Sequence, residues 1–224
     1  MDRIRKYWFL LGLISVFLIT LGDPTGRIAE LGNWIKAHHG PGIVIFVIFL
    51  VSGMLLEPVQ IRQGLTDFQG ILIALGVIFV MGPLAAIPFA LTPLAAGIKI
   101  GLFLVAVMPT TLSSGVVMTG TAGGNIAHAL VITVLANALA IVTIPVSLDL
   151  LLESVGSMTE VVIDKGAIMR KLAFLVLAPL ALGLGIKHFG KSRLHRISPK
   201  LQWINQGLIL AMVWMALSHS RNTI

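Results

Sequence analysis

What this chain can fold into is constrained most by a polar stretch between two apolar runs. The stretch is Met108–Asn125, and the runs are Gly97–Val107 and Ile126–Leu148. It holds Pro109, Thr110, Thr111, Ser113, Ser114, Gly115, Thr119, Gly120, Thr121, Gly123, Gly124 and Asn125. In a soluble protein this would be an ordinary loop. Here the surrounding solvent is different. Hydrophobic residues make up 57% of the chain and charged residues 11%, with a mean hydropathy of +0.98. A soluble domain carries about 25% charged residues. The long apolar runs therefore read as helices crossing a lipid bilayer. Non-helical backbone at membrane depth survives only where it is buried in protein or lines a watery cavity. A broken helix of this kind offers amides, carbonyls and hydroxyls to solutes and ions near the midplane.

The chain has no cysteine, which excludes disulfides and thiol chemistry. Its net charge of +7 does not point to nucleic acid. In membrane proteins, surplus Lys and Arg mark cytoplasmic loops.

Arg3, Arg5 and Lys6 precede an apolar run, Trp8–Leu21. A basic start and a short apolar region also describe a signal peptide. Leu21-Gly22-Asp23-Pro24 is a poor cleavage site, so a short retained first span is preferred. Ile28, Leu31, Trp34 and Ile35 fall at helical spacing and suggest a helix lying at the interface, anchored by Trp34. The second span is Gly42–Leu56, and the third runs from Gly70 to Leu91 with Pro83 inside it. That proline predicts a kink. Gly97–Met108 begins the fourth span but is too short to cross alone. Ser114–Ala122 resumes it as a short half-helix, and Gly123-Gly124-Asn125 makes a turn. The fifth span is Ile126–Leu148, the sixth Ala173–Ile186 and the seventh Ile204–Leu217. Asp149–Lys165 reads as an outer connection with Asp149 solvated, and Lys187–Lys200 as a basic loop. With a cytoplasmic N-terminus, nine of the 16 Lys and Arg residues fall inside and seven outside, and the largest cluster is inside.

Basic residues precede both the first span and the sixth (Arg170, Lys171), and each opening is followed by a polar connection and one more span. A repeat of five spans fits an inverted repeat, which needs an odd number. It predicts a second broken helix beyond residue 224.

Pro109-Thr-Thr-Leu-Ser-Ser-Gly-Val-Val-Met-Thr119, followed by Gly123-Gly-Asn125, resembles the bile acid:sodium symporter family, in particular its bacterial branch. Phe49-Leu-Val-Ser-Gly53 and Met81-Gly-Pro83 match its context. The resemblance runs from about residue 6 to 218 and covers about seven of that family's ten spans. It implies an all-α polytopic transmembrane helical bundle of about seven spans with a broken fourth helix, an incomplete inverted-repeat transporter fold. Residues 1–68 then hold panel-type spans one and two. Residues 69–152 hold core-type spans three to five, and 153–224 the start of a second repeat. In the family fold, spans one, two, six and seven form the panel, and the broken fourth and ninth spans cross at the binding site.

The resemblance also implies site residues. Ser114 matches the serine of a sodium-binding serine-asparagine pair, while Gly115 takes the asparagine's place and offers only backbone. Thr133 matches a sodium-binding threonine. Ala129 replaces a serine four residues earlier, and Ile78 replaces a glutamine of the second sodium site. The implied set for ion and solute is Ser113, Ser114, Gly115, Thr133, Thr110, Thr111, Asn125 and Asn137, with sodium at Ser114 and Thr133.

Each residue has a plainer reading. The hydroxyls of Thr110, Thr111, Ser113 and Ser114 serve equally to bond helix carbonyls around a kink. Thr133 and Asn137 share a helix face and also suit interhelical glue. Asn125 suits a helix cap. His128 is either structural or proton-handling.

Three function classes follow. The first is a secondary active transporter, a sodium-coupled symporter of an organic anion such as a bile acid or another carboxylate or sulfated solute, with protons as the other coupling ion. The second is a truncated non-transporting membrane protein or one piece of a split transporter. The third is an enzyme using Ser113-Ser114-Gly115 with His128, but the chain has no Gly-x-Ser-x-Gly elbow, no intramembrane carboxylate to orient the His and no metal-ligand cluster. We therefore read no enzyme and no cofactor beyond sodium as coupling ion. The expected partners are the lipid bilayer, a small organic anion, sodium, and a second copy or a missing second half. Nucleic acid is not among them. The expected location is the cell membrane, inner or plasma, with several passes.

Overall fold

Prolines and glycines set where the helices of this chain end and how closely they approach. The computed structural model describes residues 2–56, 62–111, 114–153, 164–189 and 191–220. Nine helices are labelled here: α1 (Asp2–Gly22), α2 (Arg27–Ala37), α3 (Gly40–Leu55), α4 (Phe68–Ala90), α5 (Ala96–Val107), α6 (Ser114–Thr121), α7 (Ile126–Glu153), α8 (Lys165–Phe189) and α9 (Lys191–Ser220). No strand occurs among the described residues.

The chain is all-α and polytopic, but the expected seven full spans are not all present as such. Among the described residues, four helices are long and apolar enough to cross a membrane: α4, α7, α8 and the part of α9 from Lys200. A fifth counts if α1 and α2, bent by 109°, form one broken span. The shortfall has two causes. Helix α3 has only 16 residues. Helix α5 stops at Val107 because Met108 is extended (φ −72°, ψ 137°), the conformation that a following proline imposes. The basic stretch Lys187–Lys200, expected as a loop, is helical on both sides of Gly190. Its Lys, Arg and Leu residues favour helix, and Gly190 lies outside the described residues.

The chain divides into two compact units, residues 1–55 with 178–224, and residues 56–177. In the first unit, α3 and α8 meet backbone to backbone. A Cβ on Gly53 would strike the Leu180 carbonyl and lie 3.1 Å from Gly183 Cα. A Cβ on Gly183 would strike the Leu50 carbonyl and lie 3.0 Å from Gly53 Cα. Small residues permit this approach between membrane helices, where van der Waals packing drives association. Beside the crossing, Asn205 Nδ2 on α9 donates to Ser52 Oγ on α3 at 3.3 Å, and Lys187 Nζ donates to the Leu55 carbonyl at the end of α3 at 3.4 Å. Trp8 on α1 stacks on Trp203 of α9 at 4.6 Å and donates to Gln206 Oε1 at 2.5 Å. The turn between α1 and α2 is built on Asp23. Its carboxylate accepts from Thr25 N, Thr25 Oγ1 and Ile28 N at 2.6–3.0 Å. Gly26 takes the left-handed φ of 72° that starts α2.

In the second unit, Ala86 and Ala90 of α4, Phe103 and Val107 of α5, and Leu148 and Leu151 of α7 form one buried cluster around Phe103. Asp67 caps α4 by accepting from Gly70 N at 2.9 Å. The expected disturbance at Pro83 is a π-helical turn, Val77–Met81, in which Gly82 N bonds the Val77 carbonyl. The wider turn accommodates a ring that carries no N–H. Helix α8 repeats the device, with a π-helical turn at Ala173–Leu177 just before Ala178-Pro179. Lys99 Nζ donates to the Ala90 carbonyl at 2.9 Å, closing the end of α4. Asp149, expected to be solvated, pairs with Lys165 at the start of α8.

Gly183→Val should therefore destabilise the protein by about 2–3 kcal/mol through overpacking. Gly185→Ala, where a Cβ meets nothing within 4 Å, should leave stability unchanged or raise it by up to ~1 kcal/mol. Thermal unfolding in detergent checks both.

Candidate ion and solute site

The break between α5 and α6 leaves carbonyls and amides without intrahelical partners, and α7 answers the Thr110 carbonyl. Asn137 Nδ2 donates to the Thr110 carbonyl at 3.1 Å and to the Thr133 carbonyl of its own helix at 2.8 Å. Thr110 Oγ1 donates to Thr133 Oγ1 at 3.3 Å. Thr133 Oγ1 in turn donates to the Ala129 carbonyl at 2.8 Å. Thr133 is buried. Gly115 N bonds the Thr111 carbonyl at 3.3 Å, starting the helical turn of α6. Thr119 Oγ1 donates to the Gly115 carbonyl at 2.9 Å. A Cβ on Gly115 would lie 3.9 Å from Thr133 Oγ1 and 4.0 Å from Thr110 Cβ. The backbone of α6 therefore passes directly over the threonine pair.

Thr110, Gly115, Thr133 and Asn137 converge. The α6 backbone begins at Ser114, whose side chain lies outside the described set, and Ser113 lies outside the described residues altogether. Thr111 is exposed at the break. Asn125 stands apart from the convergence. It caps α7, its Oδ1 accepting from His128 N at 3.1 Å, and it precedes Thr133 by eight residues, or about 12 Å of helix. The turn before it follows from Gly123 at φ 76°, with Gly124 N bonded to the Thr119 carbonyl at 2.8 Å. This is the left-handed helix stop that glycine permits.

The gathered donors at the break are hydroxyl and carbonyl oxygens. A threonine hydroxyl has two lone pairs. Thr133 Oγ1 uses one to accept from Thr110 and its proton to bond Ala129, which leaves a lone pair for a hard cation. Oxygen donors of this type suit such a cation, and the positive end of the α6 dipole suits an anion.

Two partners were not legible in the sequence. Thr119 stands in the polar stretch with no role that the sequence assigns to it, and it holds the Gly115 carbonyl. His128 is not alone: its Nδ1 lies 3.1 Å from the Gly64 carbonyl and its Nε2 3.8 Å from Asp67 Oδ2. The Gly64 carbonyl holds the ring, with the exposed Asp67 carboxylate at the start of α4 beside it. The sequence gives no local sign of the pairing of Asp67 with a residue 61 positions away.

Residues 7–223 match the SBF-like CPA transporter family. The chain belongs to that family. The match covers nearly the whole chain, and the family is one of transporters, not enzymes. Sodium/bile acid cotransporter 7-B of Xenopus laevis is 30% identical over 219 residues, covering 96% of this chain and 62% of the relative. The probable chloroplastic sodium/metabolite cotransporter BASS4 of Oryza sativa subsp. indica is 29% identical, covering 97% and 51%. Sodium/bile acid cotransporter 7 of Rattus norvegicus is 26% identical, covering 96% and 62%. The chain thus spans half to three-fifths of the length of these relatives. The family expected from Pro109–Thr119 and Gly123–Asn125 is the family found, and the protein is a multi-pass membrane protein.

Asn137→Leu should strip the Thr110 and Thr133 carbonyls of their shared donor. We expect a loss of about 1–3 kcal/mol in thermal stability, and a smaller loss for Thr119→Val, which affects only the Gly115 carbonyl.

Proposed function

We propose that the protein is a sodium-coupled secondary transporter of a small organic anion, working at the break between α5 and α6. The observation that carries this reading is the convergence of Thr110, Thr133 and Asn137 beneath the Gly115 backbone. Sodium is held by Thr133 Oγ1 and Ser114, with carbonyl oxygens of the break completing the shell. Gly115 contributes backbone alone. Thr110 and Asn137 position the threonine hydroxyl and the unwound segment. Thr111 lies exposed at the break, Ser113 is proposed from the sequence alone, and Asn125 fixes the start of α7. The solute's negative group faces the N-terminus of α6. Cation and anion then neutralise each other at one depth, which couples their binding. The names of the relatives support sodium as the ion and a bile acid or another metabolite as the solute. The location that fits is the cell membrane, inner or plasma, with the N-terminus cytoplasmic.

Uptake by proteoliposomes tests the reading, with taurocholate as the first probe. An inward sodium gradient should drive accumulation that a choline gradient does not. Thr133→Val should raise the sodium concentration for half-maximal uptake at least ~10-fold, equivalent to about 1.4 kcal/mol of binding. Equal uptake in sodium and choline, or an unchanged sodium requirement in Thr133→Val, contradicts the proposal.

A further inference from the structure

Helices α1 and α9 are far apart in the chain, yet they lie side by side in the first unit. Trp8 Nε1 donates to Gln206 Oε1 at 2.5 Å, and the Trp8 ring stacks on Trp203 at 4.6 Å. One turn further along α1, a Cβ on Gly12 would come within 2.6 Å of Leu210 Cδ1. From Trp8 with Gln206 to Gly12 with Leu210, the contacts advance by four residues on both helices. The two helices therefore run parallel, and their N-terminal turns emerge from the same end of the unit.

Both N-terminal stretches are basic. Arg3, Arg5 and Lys6 precede Trp8, and Lys191, Arg193, Arg196 and Lys200 precede Trp203. Asp2 is the one acid in either stretch. The helices extend through these residues, from Asp2 and from Lys191, so the helical rise sets their depth. Lys6, Arg5 and Lys200 stand about 3–5 Å beyond their tryptophan, Arg3 about 8 Å and Arg196 about 10 Å. Lys200 is exposed. On the other side of the tryptophan pair, Leu10, Leu11, Ile14 and Ile204 are exposed and apolar. Trp8 and Trp203 thus mark the boundary between an apolar and a basic layer, the level at which tryptophan settles in a bilayer. The headgroup layer of one leaflet is about 5–8 Å thick, which matches the depth of the nearest cations. A soluble polyanion would have to reach into that layer. A zwitterionic head group carries phosphate but cancels its charge. Anionic phospholipid satisfies both the depth and the charge.

We propose that the paired starts of α1 and α9 form a docking surface for the head groups of anionic phospholipids, with Trp8 and Trp203 at its floor. The surface is independent of the transport reading, because it uses no residue of the break between α5 and α6.

Fluorescence quenching of the reconstituted protein tests it. Trp34→Phe with Trp214→Phe leaves Trp8 and Trp203 as reporters. Brominated phosphatidylglycerol and brominated phosphatidylcholine of the same acyl chains are each added sparsely to phosphatidylcholine bilayers. At low salt, the quenching should report phosphatidylglycerol enriched at least about fivefold over phosphatidylcholine, the preference that one basic residue near a charged surface supplies. High salt should remove most of it. Changing Arg3, Arg5, Lys6, Arg196 and Lys200 together to Gln should bring the two lipids level. Arg27→Gln with Arg170→Gln and Lys171→Gln, which removes cations elsewhere, should leave the preference intact. Equal quenching by the two lipids, a preference that survives the five Gln changes, or the same loss in the control variant overturns the proposal. If the fivefold variant fails to fold, Lys6→Gln with Lys200→Gln should at least halve the preference, and no change overturns the proposal. If Trp214→Phe fails to fold, Trp34→Phe alone reports the same difference, because the Trp214 background is common to both lipids.

Discussion

A helix broken at membrane depth has to find partners for the backbone groups that the break releases, and the second unit is arranged around that requirement. Pro109 makes the break by holding Met108 extended. Asn137 answers for the Thr110 carbonyl, and α6 answers for the Thr111 carbonyl by resuming at Gly115 N. The first places α7 directly against the unwound segment. The positions of the threonine hydroxyls follow from that contact. The features that make the break tolerable in lipid are therefore the ones that gather oxygen donors at a single point. In the proposed reading, stability and binding share the same few residues, and a substitution at Asn137 acts on both.

The same conflict between backbone and bilayer is solved differently elsewhere. In α4 and α8, a proline is absorbed by one π-helical turn, and the helix continues to a length that crosses the membrane. In α7, Pro145 lies within an unbroken 28-residue helix. Proline alone therefore does not decide between a kink and a break. At Pro109 the following residues are Thr110 and Thr111 and the glycine of the next turn is Gly115, whereas Pro83 is followed by Leu84, Ala85 and Ala86. Hydroxyl side chains that can bond the backbone favour the open form, and apolar helix formers favour continuation.

Much of this was legible in the sequence. Apolar runs place α3 to α6 to within a few residues, the third run corresponding to α4 and the fourth with its resumption at Ser114 to α5 and α6; α8 and α9 begin eight and thirteen residues before the sixth and seventh runs. The polar stretch at Pro109–Asn125 identified both the family and the break. The number of full spans was less legible, because α3 is apolar throughout yet short. The basic stretch after Lys187 reads as a loop by its charge, although its residues favour helix. Long-range pairings such as Asp67 with His128, Ser52 with Asn205 and Asp149 with Lys165 carry no local pattern. They depend on which helices pack together, and periodicity does not encode that. Gly53 and Gly183 were visible as small residues, but their reciprocal backbone approach is a property of the α3–α8 pair.

The most direct measurement is a sodium titration of thermal stability for the purified protein, with choline replacing sodium at constant ionic strength. A ligand that binds only the folded state stabilises it by about 2.7 kcal/mol at one hundred times its dissociation constant. The account predicts a saturable rise in melting temperature with sodium in the wild type and a much weaker rise in Thr133→Val. A melting temperature indifferent to the exchange of sodium for choline would contradict it, because oxygen donors gathered at the break would then hold no sodium.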